Sequence, residues 1–160
     1  AEGPDYDAFA AALAFVTRTL CRSIAKDGEG ATKLLECRVS GARSLTDART
    51  VAKSIICSSL VKAAMFGADA NWGRVLCAIG YSGADTDPHG VDVSFSSEAG
   101  TVHVCEKGAG VEFSEETAKA VLSADEIRID VTLHDGSAEA TAWGCDLTYD
   151  YVRINGDYRT

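Results

Sequence analysis

The sequence has 160 residues, 46% apolar and 24% charged, an ordinary globular composition with enough length for one domain and a proper core. Its formal net charge of −9 at pH 7 argues against nucleic acid, whose phosphates need clustered Lys and Arg. No uninterrupted apolar run reaches the roughly 20 residues of a membrane span, and no basic stretch followed by an apolar one opens the chain as a secretion signal does.

The start, Ala1-Glu2-Gly3-Pro4-Asp5, reads as a cut edge or linker. Residues 5–26 read as a helix. Asp5 or Asp7 is its candidate cap, Phe9, Leu13, Val16 and Leu20 form its apolar stripe, and Gly28 stops it. Residues 34–40 alternate, with Leu35, Cys37 and Val39 on one face and Glu36 and Arg38 on the other, the pattern of a half-buried strand. Ser44-Leu45-Thr46-Asp47 has the spacing of a capping box, and the helix after it carries a stripe of Ala48, Val51, Ala52, Ile55 and Ile56. Residues 60–66 predict another short helix.

Residues 67–83 read as turn, cap, short apolar helix and turn. Asp69 and Asn71 both offer capping oxygens, and Trp72, Val75, Leu76 and Ile79 share one helical face. Its four glycines suggest close backbone packing or turns with positive φ. A polar loop over 84–90 follows. Val91, Val93 and Phe95, then Val102 and Val104, mark two strands about a turn at Glu98-Ala99-Gly100. Ser114 is a good cap for a helix over 115–122. Ile127, Ile129, Val131 and Leu133 alternate with polar residues, and Asp135-Gly136 separates them from the alternating Ala138, Ala140 and Ala142, which predicts a hairpin. Asp146 is the expected cap of a last helix carrying Leu147, Tyr151 and Ile154. Helices first, then strands with helices interleaved, predict one α+β domain over 1–160, with a mixed or mostly antiparallel sheet and helices packed on one face.

The six cysteines, at 21, 37, 57, 77, 105 and 145, form no C-x-x-C pair and sit mostly among apolar neighbours. They read as free thiols in a reducing cytosol, used as small core residues. The cytoplasm is the expected location.

Three stretches could carry chemistry. Lys26-Asp27-Gly28-Glu29-Gly30-Ala31-Thr32-Lys33 lies between a helix and a strand, where sites are built. It lacks the G-x-x-x-x-G-K spacing of a phosphate loop, and a Glu between glycines repels phosphate. Glu29 suits an ammonium group instead, with a neighbouring lysine to meet a carboxylate. The same pattern also fits a solvated turn with local charge pairs. The patterned, aromatic ending from Trp143 to Thr160 reads as a segment that docks, either on its own core or elsewhere. Asp85-Thr86-Asp87-Pro88-His89 has oxygen and nitrogen donors, but its spacing matches no hard-ion loop, and no metal is expected. No G-x-S-x-G elbow is present.

The strings Lys26–Lys33, Gly67–Gly83 and Asp146–Thr160 resemble, in order and near spacing, the bifunctional ornithine acetyltransferase / glutamate N-acetyltransferase family of arginine biosynthesis. The likeness runs from about Phe9 to the last residue. It implies a proenzyme that cuts itself before a threonine into α and β chains. The new N-terminal threonine accepts acetyl from N-acetylornithine and passes it to glutamate, releasing ornithine, with an oxyanion hole from a Thr-Gly pair in the α chain. No threonine here matches that nucleophile, so the resemblance makes this chain the C-terminal part of a β chain, inactive alone. By matching motif it supplies the substrate-binding residues Glu29, Asn155 and Thr160. The implied partners are the α chain and the rest of the β chain, in a heterotetramer of two α and two β chains, with no cofactor. Acetyl-coenzyme A as a donor is left open. The alternatives are a non-catalytic amino-acid-binding domain and a domain that only completes an oligomer.

Overall fold

The alternation through residues 34–40 builds the strand about which the sheet is arranged. The computed structural model describes residues 2–158. Strand β1 (Leu34–Ala42) buries Leu35, Cys37 and Val39 completely and turns Glu36 and Arg38 to the opposite face. The other elements are α1 (Pro4–Lys26), α2 (Leu45–Cys57), α3 (Ser59–Phe66), α4 (Trp72–Gly80), a 3-10 turn (Pro88–Gly90), β2 (Asp92–Ser97), β3 (Gly100–Glu106), β4 (Ala109–Gly110), α5 (Glu115–Leu122), β5 (Glu126–Thr132), β6 (Ala138–Cys145) and α6 (Tyr149–Asp157). The strands form one sheet in the order β4-β3-β2-β5-β1-β6, parallel only between β1 and β5. The α+β reading with a mixed sheet holds.

One sheet face is the core. Cys37 and Val39 pair with Ile129 and Val131, which pair in turn with Phe95 and Val93, so one apolar layer crosses three strands. Helices α2 to α5 supply its lid. The α2 stripe is buried as its spacing predicts, at Ala48, Val51, Ala52, Ile55 and Ile56. Burying one side chain such as Ile55 contributes about 1.5–3 kcal/mol. Local signals start these helices. Ser44 accepts from the Asp47 amide, Ser58 from Val61 and Ser114 from Thr117. Of the two candidate caps before α4, Asn71 is the one used, accepting from the Arg74 amide, while its own amide donates to Asp69.

The predicted hairpin at Asp135-Gly136 does not form. Strand β6 pairs with β1, and β1 separates it from β5. The segment crosses the end of β1, where the Asp135 and Gly136 amides both donate to the Gly41 carbonyl. A Cβ on Gly136 would stand 2.5 Å from the Ala42 carbonyl oxygen. The glycine is there for that approach, not for a two-residue turn.

Two smaller expectations also change. Of the four glycines in the 67–83 stretch only Gly83 has positive φ, at +81°. Ala68, at +51°, makes the left-handed turn, and Gly80 has open space about it. Among the cysteines only Cys37 and Cys105 are buried, while Cys21, Cys57 and Cys77 are exposed; all six are free thiols. Burial pushes both buried thiols above their ordinary range.

Helix α1 departs furthest. It begins with Pro4 as its first residue and without a side-chain cap, and Asp5 and Asp7 lie inside its first turn, where they favour the helix dipole. None of its residues is buried; Phe9, Leu13, Val16 and Leu20 are all at least half exposed. At 23 residues with a mean hydropathy of 1.3 over its most apolar window, it is long and apolar enough to cross a membrane by length and composition alone. Its C-terminal end instead meets the sheet's polar face. Arg22 bridges Glu36 and Glu126, and Lys26 reaches Glu126 at 3.0 Å.

Candidate functional site

The loop from Asp27 to Lys33 leaves α1 and folds back into β1. The Ala31 amide closes a turn onto the Gly28 carbonyl at 2.9 Å, and Gly30 takes a left-handed φ of +67°. A Cβ there would stand 2.7 Å from the Tyr151 amide nitrogen, so the first turn of α6 lies directly against the loop. Helix α6 starts at Thr148, whose hydroxyl oxygen accepts from the Tyr151 amide and donates to the Gly30 carbonyl at 2.6 Å.

Asp146 is therefore not the cap of α6. It is buried at 3% exposure, and its carboxylate accepts from the Thr32 amide, the Lys33 amide and the Thr32 hydroxyl. Lys33 is equally committed. Its amine donates at 2.7 Å to the carbonyls of Met65 and Leu122, at the ends of α3 and α5, where helix carbonyls favour a cation. Burial holds that amine below its ordinary value of 10.5, against the opposing pull of Asp146 and Asp125. Lys33 is thus a structural cation, and Lys26 pairs with Glu126. Neither lysine next to Glu29 stands free to meet a carboxylate, contrary to the sequence expectation.

Two of the three predicted site residues meet. The Asn155 amide donates to Glu29 Oε2 at 2.5 Å and also to the Tyr151 carbonyl at 2.9 Å, one turn back along α6. Both residues are exposed. The third, Thr160, lies outside the described residues. Oxygen Oε1 of Glu29 takes no hydrogen bond from the described residues, so the pair offers acceptors on open surface, chemistry suited to an ammonium group. Leu147 is half-buried and Tyr151 and Ile154 are 44% and 37% exposed, while the Thr148 hydroxyl bond to Gly30 and the Leu147 amide bond to the Lys62 carbonyl tie down the start of α6. Tyr149 adds an edge-to-face contact with Phe66 at 5.4 Å.

The sequence reading missed the supports, Asp146, Thr148 and Lys33. Thr148 had a usable signal, being a cap-type residue three positions before Tyr151. Asp146 and Lys33 had none, because their partners lie more than 85 positions away in sequence or on unrelated helices. The 85–89 stretch is spent on structure: Asp85 pairs with Arg43, Thr86 donates to Asp135, and Asp87 accepts from the His89 amide. No group of three His, Cys, Asp or Glu among the described residues is arranged to hold a metal.

A family model described as the ArgJ family matches residues 1–160. The chain belongs to the ArgJ family. "Arginine biosynthesis bifunctional protein ArgJ 1" of Clostridium acetobutylicum is 57% identical over 159 residues, covering 99% of this chain and 39% of that protein. The ArgJ protein of Caldanaerobacter subterraneus is 56% identical over 156 residues, again covering 39% of its own length. A crystal structure of the Bacillus halodurans ArgJ protein superposes with a TM-score of 0.91 at 48% identity, covering 98% of this chain and 72% of that one. The chain thus spans about two fifths of the length of these curated relatives.

Proposed function

We propose that this chain is the C-terminal part of the β chain of an acetyltransferase that moves acetyl from N-acetylornithine to glutamate through an acyl-threonine. In this reading its role is to bind the amino-acid substrate, with Glu29, Asn155 and Thr160 as contacts. Threonine nucleophile, oxyanion hole and α chain belong to the rest of the enzyme, a cytoplasmic heterotetramer of two α and two β chains.

The observation that carries the reading is the hydrogen bond between Asn155 and Glu29. The resemblance picked these two residues as substrate contacts, and the fold brings them within 2.5 Å from opposite ends of the chain. Membership of a family whose relatives are named for arginine biosynthesis supports the same substrate class. A substrate ammonium needs a charged acceptor, and Asn155 orients Glu29 while leaving its second oxygen available.

The test compares two proteins in the transfer of acetyl from N-acetylornithine to glutamate. The 160-residue chain alone is expected to be inactive, because nucleophile and oxyanion donors are each worth orders of magnitude in rate. A polypeptide of the relatives' full length carrying this sequence is expected to transfer. Transfer by the short chain, or none by the long one, overturns the proposal.

A further inference from the structure

We infer that Asp146 and Thr148 are positioning residues for the substrate site, a latch that holds the Glu29 loop against the start of α6. The inference rests on the reading of Glu29 and Asn155 as substrate contacts. Neither latch residue faces the open surface: Asp146 is 3% and Thr148 5% exposed. They act through the backbone that carries the exposed pair.

Four hydrogen bonds join Asp146 to Thr32 and Lys33, across more than 110 positions of sequence. One carboxylate oxygen takes the Thr32 and Lys33 amides at 2.8 and 3.0 Å, the other takes the Thr32 hydroxyl at 2.5 Å, and the Asp146 amide donates back to the Lys33 carbonyl at 3.3 Å. Two residues on, Thr148 seizes the Gly30 carbonyl while starting the helix. The loop is thereby pinned on both sides of Ala31. Glu29 is the residue just before the pinned Gly30, and Asn155 stands about two helical turns after Thr148. A loop of exposed and half-buried residues with two glycines has little rigidity of its own. The latch supplies the fixed separation that lets Asn155 orient Glu29, and binding sites lose strongly from displacements near 1 Å.

A carboxylate serves this position because it accepts three donors at once without donating any. Asparagine keeps the oxygen that holds the two amides, and alanine keeps nothing. Serine at 148 keeps the hydroxyl bond to Gly30 and the cap, and valine loses both.

The test is steady-state kinetics with N-acetylornithine in the full-length enzyme, beside hydrogen exchange of the amides at 28–33. Asp146→Ala and Thr148→Val are expected to raise KM about tenfold with kcat changed less than about twofold, and to speed exchange of the loop but not of β1 and β5. Asp146→Asn and Thr148→Ser are expected to restore most of the KM. The Thr148 pair keeps the test open where Asp146→Ala does not fold. Unchanged KM in folded variants overturns the latch, as does a loss confined to global stability with no rescue. Glu29→Gln, measured alongside, separates the two claims: if it is silent, the substrate-site reading fails, and if it is damaging while the latch variants are silent, only the latch fails.

Discussion

The amide of Asn155 is hydrogen-bonded to Glu29, a residue 126 positions earlier in the chain. Helix α6 and the loop after α1 are each unremarkable alone, one with no buried residue and the other a polar turn. Their junction gains its definition from contacts underneath, where Thr148 and Asp146 hold Gly30, Thr32 and Lys33. Site and support are different sets of residues, so different substitutions separate them.

The glycines divide by sign. Gly30→Ala is expected to destabilise by more than about 1 kcal/mol, since φ is +67° and the new Cβ meets the Tyr151 amide at 2.7 Å. Gly136→Ala is expected to cost a similar amount through its collision with Ala42. Gly80→Ala, with nothing within 4 Å of its new methyl, is expected to stabilise by about 0.4–1 kcal/mol. Equilibrium urea unfolding measures all three.

The prediction for Gly136 carries the main lesson about reading this sequence. The alternation of β5 and β6 and the Asp-Gly between them were legible, and both strands exist. Their partners were not, because a strand from residues 34–42 inserts between them and no local signal marks that insertion. The α2 stripe and the caps at Ser44 and Ser114 were fully legible, being set within a few residues. At the candidate site, Glu29 and Asn155 are legible only through motif resemblance, because nothing local pairs residues 126 positions apart. Asp146 has the local pattern of a helix cap, but its partners Thr32 and Lys33 are distant in sequence.

Asp92 predicts a specific acid sensitivity. Burial pushes its carboxyl up, but the Lys107 amide at 2.8 Å and His134 at 2.7 Å outweigh that and hold it below its ordinary value of 3.8. A carboxyl whose folded pKa is depressed contributes stability that is complete above its unfolded value and is lost as pH falls through the folded one. The wild-type protein is therefore expected to lose stability below about pH 4 more steeply than Asp92→Asn, in unfolding free energies measured across pH 2–6.

The exposed stripe of α1 predicts behaviour in solution. Phe9, Leu13, Val16 and Leu20 together leave an apolar face open on the described chain, the kind of surface that binds partners or copies. The 160-residue chain is expected to self-associate and to bind an apolar dye. Phe9→Ser with Leu13→Ser is expected to reduce both while changing unfolding free energy by less than about 0.5 kcal/mol per site, because neither side chain is buried. A monodisperse wild-type monomer at high concentration contradicts this.

The most direct measurement of the central claim is kcat/KM for N-acetylornithine in the full-length enzyme with Glu29→Gln. Glutamine preserves the shape of the exposed side chain, removes its charge and replaces one acceptor oxygen with an NH2 donor. The account predicts a loss of about a hundredfold with an unchanged unfolding midpoint. A value within twofold of wild type contradicts it.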